Sequence, residues 1–367
     1  MTGNRIPLAR PSLGGADIAA ACAAIESGRL VLGPRGERFE RALAVRTRRG
    51  FAVAVASGTA AIELALWALG VGDGDEVIVP AFGFPAAAHA AVRLRAVPVP
   101  VDVDPRTWNL DTDAARAAVT ERTRVCIAID QFGLVADDTR LAELSADTGV
   151  AILADSACSL GSANANGVPG GGYGVAAVLS FHPRKVITTG EGGAVLCDDP
   201  DLAATLRSLR NLGQAGPGQF ERAGTNARMS EVAAAIGCAQ IERLDAMVAE
   251  RRLLAAGYAE RLAPLVESGR ICPQHVPPGS SHNVQTYAVR LARGLSRDRV
   301  RDRMSAAGVE TGPGTYAVTR LAPFAAYARP APVAEELHDQ SLALPLFVGM
   351  RSADLDRVCD ALAEAVA

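Results

Sequence analysis

The chain has almost no lysine. Of 37 basic residues among 367, one is lysine, Lys185, and the rest are arginine. A codon bias that replaces lysine wherever only positive charge is needed accounts for the depletion, and it sharpens the question of why one survives. Arginine keeps its proton in a protein, whereas lysine can lose it and attack a carbonyl. Lys185 is therefore a candidate for amine chemistry.

Other shortages remove whole classes of function. The seven cysteines (22, 126, 158, 197, 238, 272 and 359) are scattered, odd in number and form no C-x-x-C pair. That spacing argues against a disulfide framework or a thiolate zinc site and for reduced thiols in the cytoplasm. The five histidines (89, 182, 275, 282 and 338) lack ligand spacing, so no metal site is expected. With a net charge of −3 and a pI near 6.0, no basic excess is present to neutralise a row of phosphates, which argues against nucleic acid as a partner. No uninterrupted apolar run approaches the ~18 residues of a membrane span. The opening M-T-G-N-R-I-P-L-A-R-P has no apolar core of a secretion signal. What remains, at 49% hydrophobic and 21% charged, is an ordinary soluble globular chain.

Its length exceeds the usual size of one hydrophobic core, so a large domain and a smaller one are expected. The pattern suggests an arm over 1–30 with a short helix from about Gly15 to Ser27, a large domain over 31–245 and a small C-terminal domain over 246–367. In the large domain, apolar runs at Phe51–Ala56, Glu76–Pro80, Val97–Val103, Val125–Ile129 and Ala151–Ala154 alternate with helical stretches, which predicts a mostly parallel sheet covered on both faces. Ala176–Phe181 and Ala194–Cys197 are two further strands around the turn-rich V-I-T-T-G-E-G-G. Beyond Gly224 a long helical stretch, with Met229, Val232 and Ile236, then Ile241, Leu244 and Met247, at spacings of three, four and five, leads out of the first domain. Tyr287–Leu291 and L-A-L-P-L (342–346) read as strands, and the last fifteen residues as a closing helix. No low-complexity linker separates the two domains, so they are expected to pack together.

Three segments carry chemistry. S-G-T (57–59) lies between a strand and a helix, where free N–H groups and the helix dipole can hold an anion; a serine or threonine before a helix is far more often only an N-cap. Asp155 ends the strand A-I-L-A-D, placing a carboxylate at the strand edge where α/β sheets bind ligands; alternatively it caps the following turn. S-F-H-P-R-K (180–185) sets a hydroxyl and the lysine five residues apart on a loop braced by proline and glycine, a spacing suited to one ligand touched at two points.

Taken in order, these segments resemble the DegT/DnrJ/EryC1/StrS family of sugar aminotransferases, within the aspartate-aminotransferase-like PLP fold type I. The resemblance runs nearly end to end. It includes S-G-R-L-V-L-G-P (27–34), S-G-T-A-A (57–61), G-D-E-V-I-V-P-A-F-G-F (74–84), V-D-V-D (101–104), Q-F-G (131–133) and the Asp155 strand. It continues through S-F-H-P-R-K with T-T-G-E-G-G, N-A-R-M-S-E (226–231), G-T-Y (314–316) and L-P-L (344–346). It implies pyridoxal 5′-phosphate as cofactor, with pyridoxamine phosphate as its aminated form. Lys185 would bond the cofactor and shuttle the proton, and Asp155 would pair with the ring nitrogen. Gly58, Thr59 and Ser180 would hold the phosphate, and Phe84 would lie over the ring, unless it is an ordinary core residue. Asn226 would reach across a homodimer interface to the partner's phosphate, giving shared active sites.

Two positions depart from the family pattern. Cys158 stands where a glutamine usually approaches the cofactor's 3-hydroxyl, and a thiol is a weaker hydrogen-bond partner. Thr319 stands where a histidine often follows G-T-Y, in a region that faces substrate. Candidates for substrate contact are His182, Arg228, Tyr316 and Arg320, the guanidinium fork suiting a diphosphate or a carboxylate; His182 could equally pack structurally. The implied reaction moves an amino group from glutamate or glutamine to a keto-sugar linked to a nucleotide. A keto-cyclitol acceptor, a lyase or desulfurase on the same fold, and a non-catalytic cofactor-binding regulator are the alternatives. The last is disfavoured by the presence of Lys185, and the desulfurase by the position of Cys158 beside the ring.

Overall fold

Alternate residues of the short apolar segments face opposite layers of one sheet. The computed structural model describes residues 5–367. Its strands in the first two thirds of the chain are β1 (Phe51–Val55), β2 (Glu76–Pro80), β3 (Phe82–Gly83), β4 (Val97–Val101), β5 (Thr123–Ile129), β6 (Ala151–Asp155), β7 (Ala176–Ser180) and β8 (Gly193–Cys197). All but β3 join in a seven-stranded sheet of order β1-β8-β7-β6-β5-β2-β4. Ala52, Ala54, Ile78, Cys126 and Ala128 enter one apolar cluster, while Val53, Val55, Val77, Val79, Val125 and Ile127 enter the other. A sheet buried on both faces explains why these strands read as continuous apolar runs. The edge strand β4 carries Pro98 and Pro100, which pair with β2 on one side and, lacking N–H groups, discourage pairing on the other.

The sheet is parallel except at β8, which runs antiparallel to both β1 and β7. The turn-rich segment between Phe181 and Gly192 is therefore a direct return between neighbouring strands. Gly193, at the start of β8, lies so close to the Ser57–Gly58 turn that a Cβ on it would meet the Ser57 carbonyl carbon at 2.5 Å. Only glycine allows β8 to begin there.

The helical stretch beyond Gly224 starts later than expected and is broken. The chain stays extended to Ser230, whose hydroxyl accepts from Ala233 N–H and caps the helix Glu231–Glu242. A break at Arg243 separates this helix from Leu244–Glu267, 24 residues long. Past it, β11 (Ile271–Pro273), β12 (Tyr287–Leu291) and β14 (Ser341–Leu344) form an antiparallel sheet, with β9 (Gln214–Gly216) and β10 (Gln219–Phe220) an earlier hairpin and β13 (Tyr316–Ala317) pairing back to β3. A separate core of Leu254, Tyr258, Val289, Met304, Leu342, Val358 and Leu362 also takes in Ile6 from the opposite end of the chain. Phe82, Trp108, Phe132, Ala288 and Leu337 make an apolar cluster between the sheets. No helix among the described residues is long and apolar enough to cross a membrane.

Periodicity did not single out the helix Pro34–Thr47. Its start is capped from a distance: the buried Glu231 carboxylate accepts from the N–H groups of Gly33 (3.1 Å), Arg35 (3.0 Å) and Gly36 (2.8 Å). A carboxylate at a helix N-terminus satisfies donors that no helical carbonyl reaches and complements the dipole. This contact binds N-A-R-M-S-E to the L-V-L-G-P segment nearly 200 residues earlier.

Candidate active site

The strands β6 and β7 and the turn after β1 end at the same edge of the sheet, so Asp155, Ser180 and Ser57–Thr59 converge there. They line a cleft of about 400 Å³ together with Phe84, Cys158, His182, Arg184, Lys185, Glu191 and Gln285. An open α/β sheet binds its ligands at this edge.

One end of the cleft is built for an anion. The helix Gly58–Ala68 begins there, and the Ser57 hydroxyl is committed to capping it by accepting from Ala60 N–H at 3.1 Å. The N–H groups of Gly58 and Thr59, in the first helical turn, have no helical acceptor and stand at the positive end of the dipole. Ser180 crosses directly in front: a Cβ on Gly58 would meet Ser180 Cβ at 2.8 Å. Gly58→Ala is therefore expected to fill the cradle and weaken cofactor binding roughly 10- to 100-fold, the effect of a ~1–3 kcal/mol steric conflict. Titration of the apoprotein with pyridoxal phosphate measures it.

The lysine loop is pinned by its own polar residues. Thr188 Oγ1 donates to Phe181 O at 2.8 Å, Thr189 N–H donates to the same carbonyl, and Thr189 Oγ1 donates to Glu191 O at 2.7 Å. Phe181 is fully buried against Phe39, ring centroids 5.0 Å apart. These contacts explain T-T-G-E-G-G as a brace. Lys185, half-buried, donates from Nζ to Cys158 Sγ at 3.2 Å.

Asp155 is buried and accepts from Ala157 N–H at 3.2 Å. Burial pushes its carboxyl up to about 6; the Lys185 charge and the Ala157 N–H oppose the rise, and the Asp130 carboxyl adds to it. Asp130, fully buried on the adjacent strand end, accepts from the hydroxyls of Tyr173 (2.7 Å), Ser156 (2.7 Å) and Ser159 (2.5 Å) and from Ala136 N–H (2.9 Å). Burial raises its pKa as well, against those four donors. A buried carboxyl without a full set of donors is primed to meet a cation or a protonated ring nitrogen.

The residues singled out from the sequence fall into two groups. Lys185, Asp155, Gly58, Thr59, Phe84, Cys158, Ser180 and His182 line this one cleft, with the Phe84 ring two-thirds exposed at its mouth. Tyr316 stands just outside, its ring 6.4 Å from that of Phe84 and its neighbour Thr315 on the cleft wall. Asn226 lies exposed on the segment beside the end of β1. Arg228, on the same segment, donates to Asn211 Oδ1 at 2.7 Å. Arg320 is ion-paired with Asp339 and Glu335. Neither arginine lines the cleft.

Sequence reasoning missed one wall entirely. Gln285 and Thr286 reach the cleft from S-H-N-V-Q-T, where Val284 adopts φ +51°, a strained conformation for a β-branched residue. Arg251, buried, grips that turn: its guanidinium donates to Val284 O (3.1 and 2.9 Å) and Gln285 O (2.6 Å). Arg251→Met is expected to destabilise the protein by about 2–4 kcal/mol in denaturant unfolding, since it strands two buried carbonyls and releases the strained turn. The one signal in the sequence is its register: Arg251 falls on the same helical face as Leu244, Met247, Val248 and Leu254.

The fold and the cleft define a class: pyridoxal-phosphate aminotransferases of fold type I. Within it, the chain belongs to the DegT/DnrJ/EryC1/StrS aminotransferase family, whose profile matches residues 11–363. GDP-perosamine synthase of Caulobacter vibrioides is 36% identical over 330 residues, 88% of each chain. The dTDP-3-amino-3,4,6-trideoxy-alpha-D-glucose transaminase of Streptomyces venezuelae is 36% identical over 353 residues, 94% of this chain and 91% of that one. Among solved structures, Spr1654 of Streptococcus pneumoniae in its PLP form superposes with a TM-score of 0.92 at 26% identity, covering 99% of both chains.

Proposed function

We propose that this enzyme transfers an amino group from glutamate or glutamine to a keto-sugar carried on a nucleoside diphosphate, in the cytoplasm, as a homodimer with shared active sites. The observation that carries the reading is that the chain's one ε-amine and a buried carboxyl line the same cleft, beside a helix start shaped for phosphate. Two relatives named for nucleotide-linked sugars support the acceptor class.

Bound pyridoxal phosphate supplies an electron sink that lets a C–H bond next to nitrogen ionise. The chain does the rest. Gly58 and Thr59 N–H groups, with the Thr59 and Ser180 hydroxyls, would hold the phosphate. Asp155 would keep a proton on the ring nitrogen, a task suited to a carboxylate whose burial strengthens its hold on any cation it meets. Phe84, at the mouth, would cover the ring face, and Cys158 lies beside Lys185 on the cleft wall. Lys185, once it has given up its own proton, would take the proton from the donor carbon that bears the nitrogen. Exposed Leu30, Val31, Leu32, Leu212 and Phe220 surround the segment of Asn226, and this apolar surface favours burial against a second copy.

The test is spectroscopic. Adding glutamate or glutamine to the purified holoenzyme should convert the absorbance of lysine-bound cofactor to that of pyridoxamine phosphate, and a nucleotide-linked keto-sugar should restore it. A holoenzyme that neither donor converts would overturn the reading.

A further inference from the structure

Any reactant of this enzyme brings an anion into the cleft in addition to the cofactor phosphate: the donor a carboxylate, the acceptor a diphosphate. The phosphate end of the cleft is already supplied by Gly58, Thr59 and Ser180, and the acidic residues of the lining, Asp155 and Glu191, offer no cation to a second anion. The arginines expected from sequence to meet that second anion do not line this chain's own cleft, Arg228 donating to Asn211 and Arg320 being ion-paired with Asp339 and Glu335.

Arg184 is placed differently. Among the described residues it is the arginine that lines the cleft, and no carboxylate there forms an ion pair with it. Its backbone is tethered on both sides: its N–H donates to His182 Nδ1 at 3.2 Å, and its carbonyl accepts from Gln285 Nε2 at 2.8 Å. Gln285 is in turn fixed by Arg251 through its own carbonyl. The guanidinium thus stands on a held stem, one residue from Lys185, with its donors uncommitted. A planar fork of donors matches a carboxylate or a phosphate in two-point fashion, and holding the reactant next to the reacting amine is where binding contributes most to rate.

We propose that Arg184 is the specificity-determining residue that binds the oxyanion of an incoming reactant, either the donor carboxylate or the acceptor diphosphate. This assignment rests on the transamination reading above. Arg184→Gln and Arg184→Lys holoenzymes, with the two half-reactions followed separately by cofactor absorbance, test it. Arg184→Gln should raise the half-saturating concentration of one reactant roughly 10- to 100-fold, as expected for loss of a charge-assisted contact, with the saturated rate changed only a few-fold. Arg184→Lys should recover part of that loss. A rise in the donor arm assigns the carboxylate, and one in the acceptor arm the diphosphate. If the donor is the source, glutarate, an unreactive dicarboxylate, should also lose calorimetric affinity for the Arg184→Gln holoenzyme. Pyridoxal phosphate affinity of the apoprotein should stay unchanged. Unmoved half-saturation in both arms, or a fall in cofactor affinity instead, overturns this assignment alone. A wild type inert towards every donor removes it together with the transamination reading.

Discussion

Lys185→Ala is expected to abolish amino transfer, lowering the rate of the first half-reaction by at least ~10²–10⁴-fold, the usual contribution of a positioned acid–base group. Borohydride treatment of the variant with cofactor should leave no covalent adduct on the chain. Lys185→Arg is the sharper comparison, because it keeps the positive charge beside Cys158 and Asp155 but cannot give up its proton. It should be as inactive as the alanine variant. An adduct that survives either substitution would place the reacting amine elsewhere, and the chain offers no other ε-amine.

Asp155→Asn should produce two effects of opposite sign. Activity is expected to fall roughly 10²–10³-fold, the scale of removing one preorganised electrostatic contact in a closed site. Stability of the apoprotein should rise at neutral pH. The folded-state pKa of Asp155, about 6, lies above the ordinary value of 3.8, so the native protein holds this proton more tightly than the unfolded chain. The stabilisation this group provides is complete below about pH 4 and is lost as pH rises through 6. The asparagine variant escapes that loss. Its advantage over wild type should be near zero at pH 4 and reach at most about 3 kcal/mol by pH 7, because each tenfold difference in proton affinity between folded and unfolded chain is worth about 1.4 kcal/mol. Urea unfolding of the two apoproteins across that range decides it, and an advantage that is flat with pH would contradict the buried-carboxylate account. A residue whose replacement makes the protein firmer and idle is kept for function.

How much could be read beforehand follows from the kind of signal each feature leaves. The mostly parallel sheet was legible because strands buried on both faces have no polar residue to interrupt them, as in F-A-V-A-V and A-I-L-A-D. Asp155, Ser180 and Lys185 were legible because strand ends impose local order, so residues far apart in number share one edge. Three things left no local trace. Glu231 reads as an ordinary first-turn acid of its own helix, yet it caps another. Arg251 falls on the apolar face of its helix with Leu244, Met247 and Leu254, but nothing local says that it clamps Val284. Arg228 and Arg320 were plausible anion binders by chemistry alone, and only the fold shows that neither lines the cleft of its own chain, with Asn211, Asp339 and Glu335 as their partners. Side-chain identity indicates what a group can do; the fold decides what it is free to do.

The scarcity of lysine has a practical consequence once the position of the remaining one is known. Apart from the α-amine at the start of the chain, the half-buried amine in the cleft is the only aliphatic amine that an acylating reagent can find. A mass increment at Lys185 therefore counts open clefts, and its suppression by a ligand counts filled ones, without any catalytic turnover.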